Sequence, residues 1–225
     1  MASLDNKVND LLKKMHTIGK GDGGDISKKG SVGELAVFNI CEHFYQTEGG
    51  ILIHSYAHDT DPDLQGNIKK NEEGIPYVEH LGSTSEIDVL YISKYRVFPI
   101  EVKSYRAKQI VFTDDGIKGS AQDSKSPVHQ NEMHCRHLYS KIFRAFTNGN
   151  TEFIVPIVVM VDRVQIVDNR SDWQRDYIKL CILDELAEVI QKYNTPIGYQ
   201  LNLQLVNNIL KESVQSTEKW LPPRM

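Results

Sequence analysis

The sequence predicts an α/β protein in which a mixed central β-sheet is covered by helices on both faces. Three observations lead there. The elements implied by the apolar pattern run helix, strands, helix, strand, strand, helix, an order that suits one sheet between helical layers. Phe153–Val161, FIVPIVVMV, is a nearly continuous apolar run, as a strand buried on both faces requires. Glu86–Ile92 and Arg96–Ser104 are adjacent strand-like runs joined by a short turn.

Taken in chain order, Leu4–His16 carries Leu4, Val8, Leu11, Leu12 and Met15 on one side of a short amphipathic helix, a route to a homodimer. Gly19–Gly24 reads as a linker, because it lacks the GxxxxGK[ST] spacing of a phosphate-binding loop. Ser31, with Glu34 at the third position after it, reads as a capping box opening a helix that runs to about Gln46. Ile51–Tyr56 is expected as a strand, His58–Gly74 as an exposed loop, and Ile75–Leu81 as an added strand. Within Glu86–Ile92, strict alternation places Ile87, Val89 and Tyr91 on one face and Glu86, Asp88 and Leu90 on the other.

Gln109–Thr113 reads as a further strand closed by the Asp114-Asp115-Gly116 turn, followed by a polar loop at Lys118–Lys125. Ser126-Pro127 opens a helix to about Phe146, with proline at the first helical position. Val128, Cys135, Leu138, Ile142 and Phe146 form its apolar stripe, and Gln130, His134, His137 and Lys141 gather on the other side, the last two read as a wet face. Pro99 is expected to mark a bend that aims Glu101, and Pro156 to make its strand bulged or near an edge. A strand at Tyr177–Leu183, helices at Asp184–Tyr193 and Leu201–Gln215, and a loose tail complete the chain. This divides it into an N-terminal helix and linker (1–27), a main domain (28–200) and a C-terminal helix and tail (201–225).

The chain has 225 residues and a formal net charge of −4, with 40% hydrophobic and 25% charged residues, an ordinary globular composition. Any contact with a polyanion must come from a local basic patch or a metal ion, not from overall charge. Cys41, Cys135 and Cys181 are widely spaced and odd in number, which fits small core residues in a reducing compartment. The N-terminus lacks the apolar run of a secretory signal and no stretch approaches a membrane span, so a cytoplasmic location without membrane association is expected.

The chemistry concentrates in SEIDVLYISKYRVFPIEVKS, residues 85–104. Glu101 and Lys103, two residues apart on a strand, point the same way while Val102 turns to the core. With Asp88 on the neighbouring strand, two carboxylates and an ammonium converge, a costly arrangement unless a cation compensates it. Such a set suits metal-dependent phosphodiester hydrolysis. In it Asp88 and Glu101, with the Val102 carbonyl, hold Mg²⁺ or Mn²⁺. Lys103 directs water and phosphate. Two further side chains join this set: Glu34, read alternatively as only a capping group, and Gln130 in the first turn of the later helix. Tyr105, Arg106, Lys108, Lys94 and Arg96 read equally as phosphate contacts or as edge-strand charges. No Cys/His spacing closes a zinc site and no GxSxG elbow is present.

Together Gly33-Glu34, Ile87-Asp88, Glu101-Val102-Lys103 and Pro127-Val128-His129-Gln130 resemble, in order and spacing, the nuclease-related domain (NERD) family of the PD-(D/E)xK superfamily. The resemblance covers about residues 28–160. It implies a restriction-endonuclease-like core, dependence on a divalent metal, and DNA as the substrate of a nuclease. RNA stays open as a substrate, as does the choice between endonuclease and exonuclease action. The alternative reading is a catalytically silent nucleic-acid-binding module or adaptor of the same fold.

Overall fold

The computed structural model describes residues 26–59, 68–70, 76–78, 84–105, 107–118, 126–140, 152–198 and 200–225. The expected Leu4–His16 helix, the Gly19–Gly24 linker, and the Lys141, Ile142 and Phe146 portion of the long helix lie outside them.

Helix α1 (Ile26–Glu48) leads into β1 (Gly50–Asp59). The short pair β2 (Ile68–Lys70) and β3 (Pro76–Val78) follows, then β4 (Thr84–Ile92) and β5 (Val97–Lys103). Beyond these come β6 (Gln109–Thr113), β7 (Gly116–Lys118), α2 (Pro127–Leu138), β8 (Ile157–Met160) and β9 (Gln165–Asp168). The chain finishes with α3 (Asp172–Tyr177), β10 (Lys179–Ile182), α4 (Leu186–Tyr193), α5 (Leu203–Ser213), β11 (Val214–Ser216) and β12 (Lys219–Arg224).

The main sheet has seven strands in the order β10-β8-β5-β4-β1-β11, with β12 also pairing β1. It is mixed, as expected: β10, β8 and β5 run parallel, whereas β5, β4 and β1 pair antiparallel. One face packs Leu52, Val89, Tyr91, Phe98, Ile100 and Val102 against α1 and α4. The other packs Ile53, Tyr56, Leu90, Ile92 and Val97 against α2 and α5. A small sheet, β7-β6-β9, lies beside it. The cysteines are buried core residues, and burial pushes the Cys135 and Cys181 thiols up to about 12.

Several expectations are corrected. Helix α1 begins at Ile26, so Ser31 lies inside it and Glu34 is not a capping residue. Strand β1 extends to Asp59, which makes His58 a buried strand residue instead of a loop residue. His137, read as part of a wet helix face, is buried, and so is His134. The C-terminal residues do not form a loose tail: β12 pairs β1, Tyr45 Oη donates to Pro222 O at 3.0 Å, and Lys219 reaches Glu42 on α1 at 3.1 Å. Pro222 and Pro223 fall where the β1–β12 register shifts, between the Arg224–Gly50 and Leu221–Leu52 pairs, an irregularity of an edge strand that tolerates proline.

The strict alternation expected along β4 also fails, at one place. Ile87 packs with Leu90 and Ile92, and Val89 packs in the opposite cluster. The same exchange occurs in β1 between Leu52 and Tyr56. His54 pairs Val89 and Tyr56 pairs Ile87, so Ser55 stands opposite Asp88, and Ser55 has φ 57°. A left-handed non-glycine residue costs on the order of 1–3 kcal/mol and persists only where its surroundings enforce it. Here it turns both strands over together, and the turning point is Asp88.

Pro99 introduces no register shift: it pairs Leu90 in the β4–β5 ladder. Val97 donates its N–H to Phe153 O, and backbone groups two residues apart on a strand share a side, so the N–H missing at Pro99 faces β8. Pro156 immediately precedes β8, a central strand that is neither bulged nor at an edge. The gap between these prolines is closed by Asn131, fully buried on α2, whose Nδ2 donates to Pro99 O at 3.1 Å and Ile157 O at 2.8 Å. Asn131→Leu keeps the volume and removes both donors. It is expected to lower unfolding free energy by about 2 kcal/mol, read from the urea midpoint, since two buried carbonyls lose a partner.

Candidate active site

Strands β4 and β5 form a hairpin whose turn carries Lys94 and Arg96 at one end. The acids lie at the other. The ladder ends with Val89 opposite Ile100, and its extension would set Asp88 against Glu101. Beyond that pair the strands part, and the Val102 N–H turns to Asp88 Oδ2 at 2.7 Å instead of to a backbone carbonyl. A residue's N–H and C=O share one side of a strand, so the Val102 carbonyl also faces the β4 flank. Lys94 and Arg96 are remote from this opening, and Arg96 is buried with Nε donating to Tyr193 O at 2.9 Å.

Glu101 has 0% exposure. It faces α2, where Lys103 Nζ hydrogen-bonds to its Oε1 and His134 Nε2 lies 3.3 Å from its Oε2. The expected common direction of Glu101 and Lys103, with Val102 turned into the opposite core, is therefore present. The end of β5 is held to the β8 exit by the Val161 N–H on Lys103 O at 3.0 Å and by Ser104 Oγ on Asp162 Oδ2 at 2.6 Å.

Burial raises the Asp88 carboxyl well above the usual carboxylate range, and the Glu101 charge raises it further. Lys103 and the Val102 N–H oppose this only in part. The Lys103 ammonium behaves in the opposite sense. Burial disfavours its charge, but Glu101 and Asp88 outweigh that and hold it above the ordinary lysine range. Lys103 is thus a fixed cation at neutral pH, and Asp88 is the acid whose charge is least compensated.

Glu34 approaches from α1. Gly33 explains how: a Cβ there would stand 3.0 Å from Val161 Cγ2, so glycine lets the helix close on the chain just after β8. The Glu34 charge also raises the Asp88 carboxyl, by less than burial and Glu101 do. Its Oε2 lies 3.8 Å from His54 Nε2, and His54 Nδ1 lies 3.0 Å from Glu218 Oε2 in the C-terminal turn. Gln130 occupies the first turn of α2, half-buried. No hydrogen bond joins its side chain to the carboxylates among the described residues. Sequence reasoning missed Asn131, and treated His134 only as one of a polar set. Their signal was available: Asn131 stands within the Val128, Cys135, Leu138 stripe, and a polar residue at a core position of a helix needs a partner.

The donor set can be tested against a divalent cation. Asp88 and Glu101 place two carboxylates in a buried opening with one neighbouring ammonium, Glu101 Oε2 makes no aligned hydrogen bond, and the Val102 carbonyl turns to the same flank. Among the described residues no three His, Cys, Asp or Glu side chains form a closed metal cage. Two carboxylates and a carbonyl are hard oxygen donors of the kind Mg²⁺ takes while it retains several waters. The residues fit such an ion.

No helix among the described residues is long and apolar enough to cross a membrane. No curated protein and no solved structure matches the chain. A sequence model of the nuclease-related domain matches residues 29–161, which span Gly33-Glu34, Asp88, Glu101-Val102-Lys103 and Gln130. That match covers more than half of the chain, which therefore belongs to the nuclease-related domain family.

Proposed function

We propose that the protein is a divalent-metal-dependent nuclease that hydrolyses phosphodiester bonds of DNA. The observation that carries this reading is the pair of half-buried Asp88 and buried Glu101 at the parting of β4 and β5, with Lys103 beside it. Asp88 and Glu101, with the Val102 carbonyl, would hold Mg²⁺ or Mn²⁺, and Glu34 would serve a second ion or its water shell. The ion supplies Lewis acidity toward the phosphate and a water of lowered pKa.

The side chains of the chain do the rest. Lys103, charged at neutral pH, donates hydrogen bonds to the attacking water or to a non-bridging phosphate oxygen, where negative charge grows in the transition state. Gln130, at the first turn of α2, supplies an amide to orient the scissile phosphate. Lys103 cannot act as a general base while its pKa is raised, so the proton released by water must pass to a carboxylate or to solvent.

The test is incubation of the purified protein with plasmid, linear, single-stranded and branched DNA, and with RNA, in Mg²⁺ or Mn²⁺. Cleavage is expected with either ion and none in chelator. Asp88→Ala and Lys103→Ala should each slow it at least about a hundredfold, the usual loss for removing one transition-state partner. If the parent cuts none of these substrates yet binds DNA in a salt-dependent way, the protein is instead a silent binding module.

A further inference from the structure

Lys103 occupies only one oxygen of the Glu101 carboxylate. The other, Oε2, is buried, and His134 Nε2 lies 3.3 Å from it, without the alignment of a full hydrogen bond. Both residues have 0% exposure. The second imidazole nitrogen, Nδ1, lies 3.3 Å from Ser85 Oγ at the start of β4. An imidazole that turns Nε2 to a carboxylate leaves Nδ1 to accept, and the Ser85 hydroxyl lies there. The groups follow one another from Ser85 Oγ to His134 Nδ1, and from His134 Nε2 to Glu101 Oε2, the last a close contact and not a formed hydrogen bond.

The ring is also held mechanically. His58 packs against it edge-on, with centroids 5.8 Å apart. One turn earlier on α2, Asn131 fastens the helix to β5 and β8 through Pro99 O and Ile157 O. The same contact that closes the proline gap thus sets the height at which α2 delivers His134. An imidazole in this place costs desolvation that an apolar side chain of like volume would avoid, so packing alone does not account for it.

We infer that His134 is a positioning residue for Glu101, fixed by Ser85, that holds the carboxylate in the orientation in which it shares the opening with Asp88. Such an outer partner orients a ligating carboxylate and raises its affinity for the ion. The inference rests on the metal-binding part of the nuclease reading.

Mn²⁺ binding, measured by titration calorimetry on the full chain, tests it, with thermal melts to verify folding and DNA cleavage run in parallel. His134→Leu is expected to weaken Mn²⁺ binding by about 10–100-fold. His134→Gln, whose amide can still donate to Oε2, should stay within about threefold of the parent. Ser85→Ala, at a half-buried position, should weaken binding by roughly tenfold and leave the melt unchanged. A folded His134→Leu protein that binds Mn²⁺ as tightly as the parent overturns the inference and leaves the nuclease reading intact. Should His134→Leu not fold, Ser85→Ala and His134→Gln decide: parent-like Ser85→Ala binding, or His134→Gln binding as poor as in an Asp88→Ala control, overturns it. A parent that binds Mn²⁺ with the expected His134 dependence but cuts no nucleic acid supports the inference and removes the nuclease reading. A parent that binds no Mn²⁺ overturns both.

Discussion

Lys103→Met lowers the unfolding free energy by about 3 kcal/mol at neutral pH, because it strands a fully buried carboxylate. Glu101 has 0% exposure, and its Oε1 depends on the Lys103 ammonium. Breaking a buried pair from one side typically costs about 3–5 kcal/mol, and the partial exposure of Lys103 places this site at the lower end. The methionine keeps most of the side-chain volume, so lost packing contributes little. The sign can be checked against pH. Lys103 has a raised pKa in the fold, so its contribution is fully present below the ordinary lysine pKa and disappears as pH rises through the folded value. The difference between parent and variant is therefore constant across neutral pH and closes only in strong alkali. Glu101→Gln in the Lys103→Met background should restore most of the loss, since it removes the stranded charge. Urea unfolding of the four proteins measures this, and a Lys103→Met midpoint equal to that of the parent would show that Glu101 does not rely on its lysine.

How much of this site could be read in the sequence depends on the range of the interactions that set each part. The relation of Glu101 to Lys103 follows from the two-residue period of a single strand, and the structure keeps it. The position of Asp88 does not follow from that period. The face exchange at Asp88 is made jointly with Ser55, more than thirty residues earlier, and no local pattern in either strand announces it. The cap reading of Ser31 and Glu34 fails for the opposite reason. Ser31 and Glu34 have the local signature of a cap, but the helix starts a turn and more earlier, and Gly33 is there to admit Val161. On α2 the apolar stripe was legible, but His137, which reads as wet face, is buried, and the partner of His134, Glu101, comes from a distant strand that the helix pattern does not reveal. The C-terminal prolines suggested a loose end, whereas pairing of β12 with β1 uses them at an edge. Local periodicity thus recovered the β1, β4, β5 and β8 strands of the main sheet and the fold class, while β9, α3, β11 and β12 and the burial of polar groups, decided by contacts far apart in sequence, had to be seen.

Asp88→Asn is expected to stabilise the metal-free protein and to abolish its response to metal. Asparagine preserves the acceptor that Val102 N–H uses, so the local backbone has no reason to change. What it removes is a charge that burial and Glu101 both oppose. Because the folded pKa of Asp88 is raised, its ionisation works against the fold once pH climbs above the unfolded carboxylate value, and the penalty is complete above the folded pKa. The melting temperature of Asp88→Asn should therefore exceed that of the parent in chelator at pH 7–8. The two should converge as the pH falls toward about 4, near the unfolded carboxylate pKa. A saturating divalent ion reverses the order. An ion at a hundredfold its dissociation constant adds about 2.7 kcal/mol to a protein that binds it only when folded. The parent should gain that increment and the variant should not. Cleavage should follow the metal response: losing several kcal/mol of charge stabilisation corresponds to about a thousandfold slower rate. Paired melts with and without Mn²⁺, at two pH values, read all of this in one experiment. If Asp88→Asn melts below the parent in chelator, the Asp88 carboxylate is already compensated by groups of the protein itself, and the opening between β4 and β5 has no charge for a cation to neutralise.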